Sequence, residues 1–258
     1  MRMKWLRGLV GGREVFGTLE GTEIVVHRGD LFDAPSPTGE RLPLAGLDWL
    51  TPCRPSKMIA LWNNFAAAAE KNGWSRPAEP LYFLKAPSSF AAHGQTIAVP
   101  SPDVGRVAYE GELAIVIGRR AKAVPLEQAA SHIFGYSCAN DVTAMELIAR
   151  DPSFAQWARA KSFDGFGIFG PVIETEFDAA AATLRTTVGG RERQNYALAD
   201  MFFPPAELVS RLSHDMTLEP GDVILCGTSL GVLPMKPGTA VEVTIAGIGT
   251  LANVYGAG

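Results

Sequence analysis

The chain is poor in the residues that staple small extracellular scaffolds. Its three cysteines, Cys53, Cys138 and Cys226, are odd in number, widely spaced and set among apolar neighbours. That pattern excludes a disulfide framework and a CxxC zinc site, and it predicts buried, reduced thiols in a cytoplasmic protein. Long hydrophobic runs are missing as well. Stretches such as Phe65 to Ala69 and Leu113 to Ile117 fall far short of the roughly 20 apolar residues a spanning helix needs. The start, MRMKWLRGLVGG, has basic residues, but Arg7 interrupts its apolar part and glycines follow, so it reads as a first strand and not as a leader. An excess of positive charge is absent too: 23 Lys and Arg stand against 27 Asp and Glu, a net charge of −4 with a pI of about 5.6. No global field draws in a nucleic-acid backbone or an anionic membrane, and neither is expected as a partner. His27, His93, His132 and His214 are scattered without HxH or HExxH spacing, and no G-x-S-x-G elbow occurs. Each histidine reads as a loop or packing residue, and a serine hydrolase has no support.

What remains is the composition of a globular chain: 258 residues, 47% hydrophobic, 19% charged, mean hydropathy +0.09. Residues 1–53 read as a small β-rich domain, with Glu14–Leu19 and Thr22–Arg28 as a hairpin. The Pro-punctuated Thr51-Pro52-Cys53-Arg54-Pro55 separates it from a larger domain over 54–258. In that domain Met58–Leu61, Tyr82–Lys85, Tyr109–Gly118, Ile133–Thr143, Leu184–Val188, Asp222–Gly227 and Ala240–Ile245 have the β-branched, apolar signature of strands. Helices are predicted at Asn64–Asn72, Leu126–His132, Met145–Arg150 and Pro205–Ser213. Strands outnumber helices without βαβ alternation, so the fold class is α+β, mainly β.

Tyr109-Glu110-Gly111-Glu112 opens the most informative strand. A period of two residues points Glu110 and Glu112 to one face, roughly 7 Å apart. The strand then becomes apolar on both faces, which places the pair at the edge of a core. Two carboxylates there need a proton, a Lys or Arg, or a hard divalent cation, although Glu-x-Glu on a strand is also common as a solvated face. Asp141 ends the strand that begins at Phe134 and could join such a site, or Asp141 or Thr143 could cap the next helix. Lys161 is a candidate base if a cation lowers its pKa, or a surface partner for Asp164. Gly227-Thr228-Ser229 follows a strand and offers backbone N–H groups and a hydroxyl to a carboxylate, or is a plain turn. Gly165 to Gly170 matches GxGxxG by letter, but Pro171 follows at once and no helix start is in sight, so a close-packed bend is the better reading.

Five segments together carry a resemblance. FLKAPSS at 83–89, YEGELAIVIG at 109–118, GYSCANDVTA at 135–144, AKSFDGFGIFGP at 160–171 and LEPGDVILCGTSLGV at 218–232 resemble, in order, the fumarylacetoacetate hydrolase family over residues 55–254. The resemblance implies a mixed β-roll core, commonly a homodimer. It also implies a magnesium or manganese ion, with calcium possible, bound by Glu110, Glu112 and Asp141. Lys161 takes the place of the active-site lysine, and Gly227 and Thr228 that of the loop near the substrate, a small 2-oxo acid. In three places the chain departs from the family pattern: Ala66 to Ala69 replace a segment that carries a histidine in hydrolytic members, Met145 replaces an arginine, and Ser229 replaces a proline. Without that histidine, which helps activate water, an isomerase or decarboxylase of an unsaturated 2-oxo (2-hydroxy-dienoate) diacid is expected. The alternatives are an acylpyruvate or fumarylpyruvate C–C hydrolase, an oxaloacetate decarboxylase, and a binding protein that has lost catalysis.

Overall fold

The computed structural model describes residues 3–256. Strand makes up 43% and helix 17%, so the molecule is mainly β with helices at the margins. The strands form one 12-stranded sheet, one five-stranded sheet and a two-stranded ladder.

The centre of the large sheet runs Lys4–Val10, Gly167–Glu174, Ile133–Asp141, Gly111–Ile117, Val223–Leu225, Met58–Trp62 and Leu81–Lys85. Val223–Leu225 and Met58–Trp62 pair in parallel and the other neighbours on this path are antiparallel, so the sheet is mixed. Gly111–Ile117 is buried at every residue because it has a strand on each side and a covered surface on both faces. The hairpin Arg13–Glu20 with Glu23–Arg28 forms as expected, and Ser36–Pro43 extends it. These N-terminal strands continue the large sheet, since Trp5 pairs with Ile173. Cys53, Cys138 and Cys226 are buried free thiols. No described helix is long and apolar enough to cross a membrane.

Most predicted elements appear within a few residues of their expected ends. The first helix is Ala66–Asn72, closed by Gly73, and the longest is Pro205–Asp215. Gly165 to Gly170 is no dinucleotide loop: from Gly167 onward it is already the strand Gly167–Glu174. Several elements lay outside the reading, three of them long enough to matter to the site or its sheets. Trp157–Lys161 is a helix, and Arg191–Ala197 and Gly249–Gly256 are strands. Arg191–Ala197 is polar and mostly exposed because it is an edge strand of the five-stranded sheet, bonded only to Thr183–Val188. An edge of that kind lacks the apolar alternation by which a strand is recognised.

Candidate metal centre and cavity

Glu110 and Glu112 come from the entry into the central strand Gly111–Ile117, and Asp141 ends its neighbour. The antiparallel register sets Gly111 opposite Asn140 and Glu112 opposite Ala139, and the Asp141 N–H donates to the Glu110 carbonyl at 2.9 Å. One carboxylate oxygen from each of the three residues lies within 4.8 Å of the others. Glu112 and Asp141 are fully buried, and Glu110 keeps 17% of its side chain exposed. The glutamate oxygens thus approach closer than strand spacing alone suggests, and the edge-of-core placement of the pair holds.

Lys161, the last residue of the helix Trp157–Lys161, reaches this cluster. Its Nζ donates to Glu110 Oε2 at 2.9 Å and Asp141 Oδ2 at 2.6 Å. The surface pair with Asp164 is overturned by its burial, 3% exposed, against these partners. Burial alone would discharge it, but Asp141, Glu110 and Glu112 outweigh that and hold the ammonium above the ordinary lysine range. Glu112 is the opposite case: burial, followed by the charges of Asp141 and Glu110, pushes it well above the carboxylate range. Burial raises Glu110 as well. Burial would raise Asp141 too, but Lys161 and Lys85 override it and hold the group down.

Sequence reasoning assigned no role to Lys85. It is fully buried, and its Nζ donates to Asp141 Oδ1. The signal was a lysine at the apolar end of Leu81–Lys85, with nothing local to say what it would meet. Asp141 and Thr143 cap no helix. The helix Met145–Ile148 follows Ala144 with no side-chain cap bond, and Thr143 Oγ1 donates to Glu110 Oε1 at 2.5 Å.

A second layer holds the glutamates. Gly111, between them, donates its N–H to Gln194 Oε1 at 3.0 Å, and its carbonyl accepts from Tyr196 OH at 2.6 Å and Thr228 Oγ1 at 2.9 Å. A Cβ at Gly111 would stand 2.2 Å from Thr186 Oγ1, so no larger residue fits there. Gln194 and Tyr196 lie on the edge strand that the sequence did not reveal. Gly227 donates its N–H to Glu112 Oε2 at 2.7 Å from a backbone with φ of 86°, a left-handed conformation that favours glycine. Its N–H is spent on the carboxylate, while Thr228 faces the cavity. The single Thr228 hydroxyl proton goes to Gly111, and that oxygen accepts from Gln194 Nε2 at 2.8 Å.

Glu110 and Lys161 open onto a cavity of about 390 Å³. One wall is aromatic: Phe83 stacks on Trp157 at 5.5 Å, and Trp62 lies 5.9 Å from Trp157 and 4.9 Å from Trp74. Met145 and Ile148 face it with Ala68, Lys71 and the loop 228–232, and no histidine lines it.

The site's donor set fits a hard divalent ion. Three carboxylates face two lysines, which leaves one negative charge over when all are ionised. Glu112 Oε1 is also buried with no hydrogen-bond partner. Oxygen ligands in excess of positive charge suit magnesium, manganese or calcium.

Residues 57–255 match the family described as fumarylacetoacetate (FAA) hydrolase C-terminal, and residues 3–52 match Rv2993c-like, N-terminal. A solved 5-carboxymethyl-2-hydroxymuconate delta-isomerase from Mycobacterium smegmatis superposes with a TM-score of 0.91 at 38% identity, covering 99% of this chain and 100% of that one. A 2-hydroxyhepta-2,4-diene-1,7-dioate isomerase from Mycobacterium marinum gives 0.90 at 35% identity, covering 99% and 98%. The 4-hydroxyphenylacetate degradation bifunctional isomerase/decarboxylase of Salmonella dublin is 38% identical over 76% of this chain and 46% of its own length.

Proposed function

This chain belongs to the fumarylacetoacetate hydrolase family, whose members are divalent-metal-dependent enzymes, and we propose that it isomerises or decarboxylates an unsaturated 2-oxo diacid. The observation that carries this reading is Lys161 Nζ bonded to Glu110 and Asp141 at the edge of a cavity without histidine. Glu110, Glu112 and Asp141 would hold the ion. When bound, such an ion would supply Lewis-acid stabilisation of the negative charge that develops on a 2-oxo acid when a C–H or C–C bond breaks.

The chain's own groups do the rest. Lys161 holds a proton at Nζ beside the reacting carbons. In decarboxylation it gives that proton to the carbon that CO2 has left; in isomerisation it gives its proton to one carbon and, as the neutral amine so formed, takes up the proton lost from another, which restores the ammonium. Gly227 keeps Glu112 aimed by its N–H, and Gln194, Tyr196 and Thr228 fix the Gly111 peptide between the two glutamates. The aromatic wall, Met145 and Ile148 give the cavity a largely apolar lining. Hydrolysis needs a water activated by a base, and Ala68 occupies the cavity where the Ala66–Asn72 helix approaches.

The printed functions of the two mycobacterial isomerases and the Salmonella enzyme support the same substrate class. A cytoplasmic homodimer is part of the proposal, and sedimentation of the purified protein tests the dimer. The deciding experiment is turnover of unsaturated 2-oxo diacids against acylpyruvates, with magnesium or manganese and with chelator. Metal-dependent conversion of the diacids is expected, and faster cleavage of acylpyruvates overturns the reading.

A further inference from the structure

The charge of the cavity is uneven. Its charged lining residues are Glu110, Lys161 and Lys71. The first two neutralise each other at 2.9 Å, and Lys161 is further committed to Asp141 at 2.6 Å. The side chain of Lys71, in the last turn of the Ala66–Asn72 helix, makes no hydrogen bond or ion pair with any described residue. It is therefore the one uncompensated cation lining the cavity. Met145, on another side, brings no charge.

The aromatic wall links the two ends. Lys161 Nζ lies 5.2 Å over the Phe83 ring, and the rings continue through Trp157 and Trp62 to Trp74, three residues beyond Lys71. Trp74 is 41% exposed, an apolar surface left open at the Lys71 end. A flat, conjugated chain suits stacking along such a wall, and a chain whose head sits at the carboxylates directs its tail toward Lys71.

We infer that Lys71 is the specificity residue for the second carboxylate of the substrate. This rests on the 2-oxo acid reading above and names what selects a diacid over a monoacid. Lys71 pairs with the tail carboxylate at the cavity mouth, and the aromatic wall accepts the unsaturated chain between the two ends. The residue touches neither the reacting carbons nor the acidic triad, so it governs affinity and leaves the chemical step alone.

The test is binding by titration calorimetry with magnesium present, comparing 2-oxoheptanedioate with 2-oxoheptanoate, which share a chain length and differ in the second carboxylate. The wild type should prefer the diacid by roughly 10- to 100-fold, the strength of one hydrogen bond between charged groups. Lys71→Met should abolish that preference by weakening only the diacid, and Lys71→Arg should retain most of it. A wild type that does not discriminate, or a methionine variant that still does, overturns the assignment. Discrimination in binding with no turnover of any unsaturated diacid would leave Lys71 in this role and sink the isomerase/decarboxylase reading instead.

Discussion

Replacing Glu112 by glutamine removes one charge from the acidic triad while keeping its shape. The amide oxygen can still accept the Gly227 N–H, and the amide nitrogen takes the place of Oε1, the oxygen without a partner. Two like charges 4.8 Å apart repel by about 3 kcal/mol at an effective dielectric near 20. Protonation of Glu112, which burial and its two acidic neighbours favour, relieves part of that in the wild type. In chelator, Glu112→Gln should therefore be more stable by about 1–3 kcal/mol, a Tm rise of roughly 2–12 °C for a chain of this size. Metal reverses the ranking. At about 100 times its Kd an ion adds about 2.7 kcal/mol to the wild type, or roughly 5–11 °C. The variant has lost a ligand and should show little of this gain. Differential scanning calorimetry with chelator, magnesium and manganese reads both effects. A variant that melts below the wild type in chelator, or gains as much from metal, refutes the argument that the site is a repulsive cluster awaiting a cation.

Three other perturbations probe separate parts. Lys161→Met should lower kcat by about 10²- to 10⁴-fold while leaving metal affinity equal or tighter, because a neighbouring positive charge is gone; equal losses in both would make the lysine structural. Gly227→Ala forces a Cβ into a backbone with φ of 86° and within 3.3 Å of the Leu61 carbonyl and Asn64 Cβ. It should cost about 1–2 kcal/mol and weaken metal affinity by about tenfold, with unchanged metal affinity counting against Gly227 as the group that aims Glu112. His93 accepts the Ala252 N–H at 3.1 Å, and burial lowers its pKa. The unfolded chain therefore takes up the proton first, so the stability His93 contributes is complete above pH ~6.5 and is lost as pH falls toward the lowered native value, at up to about 1.4 kcal/mol per pH unit. Urea unfolding should show a shallower acid decline in His93→Asn, and parallel curves would remove His93 as the cause.

The strands of the catalytic half were legible wherever burial is two-sided. Leu113–Ile117 and Val223–Leu225 are apolar at every position because each lies inside the large sheet. Arg191–Ala197 was not legible. Most of its residues face solvent on an edge, and only the Gly189-Gly190 pair before it, a two-residue hairpin turn, marked it. Missing that strand hid Gln194 and Tyr196, which hold the peptide between the two glutamates. Lys161 was singled out, but its residues alone left it between a base and a surface partner of Asp164, because the helix Trp157–Lys161 is only five residues long and its burial comes from the acidic strands it meets. Lys85 stood in a motif and was passed over, since its partner Asp141 lies 56 residues away.

The order of residues by itself determined that Glu110 and Glu112 emerge together at a buried strand, that three cysteines stay unpaired, and that strands dominate. Those properties follow from periods of two residues and from composition, which are local. The family resemblance brought Asp141 and Lys161 to those glutamates as an expectation; only the tertiary structure gave their distances and decided that Lys85 joins them, that the Gly227 N–H serves Glu112, and that Lys71 shares a cavity with them. Electrostatic energy depends on distances of a few ångströms, and such distances between residues far apart in the chain exist only once the sheet's register has brought them together.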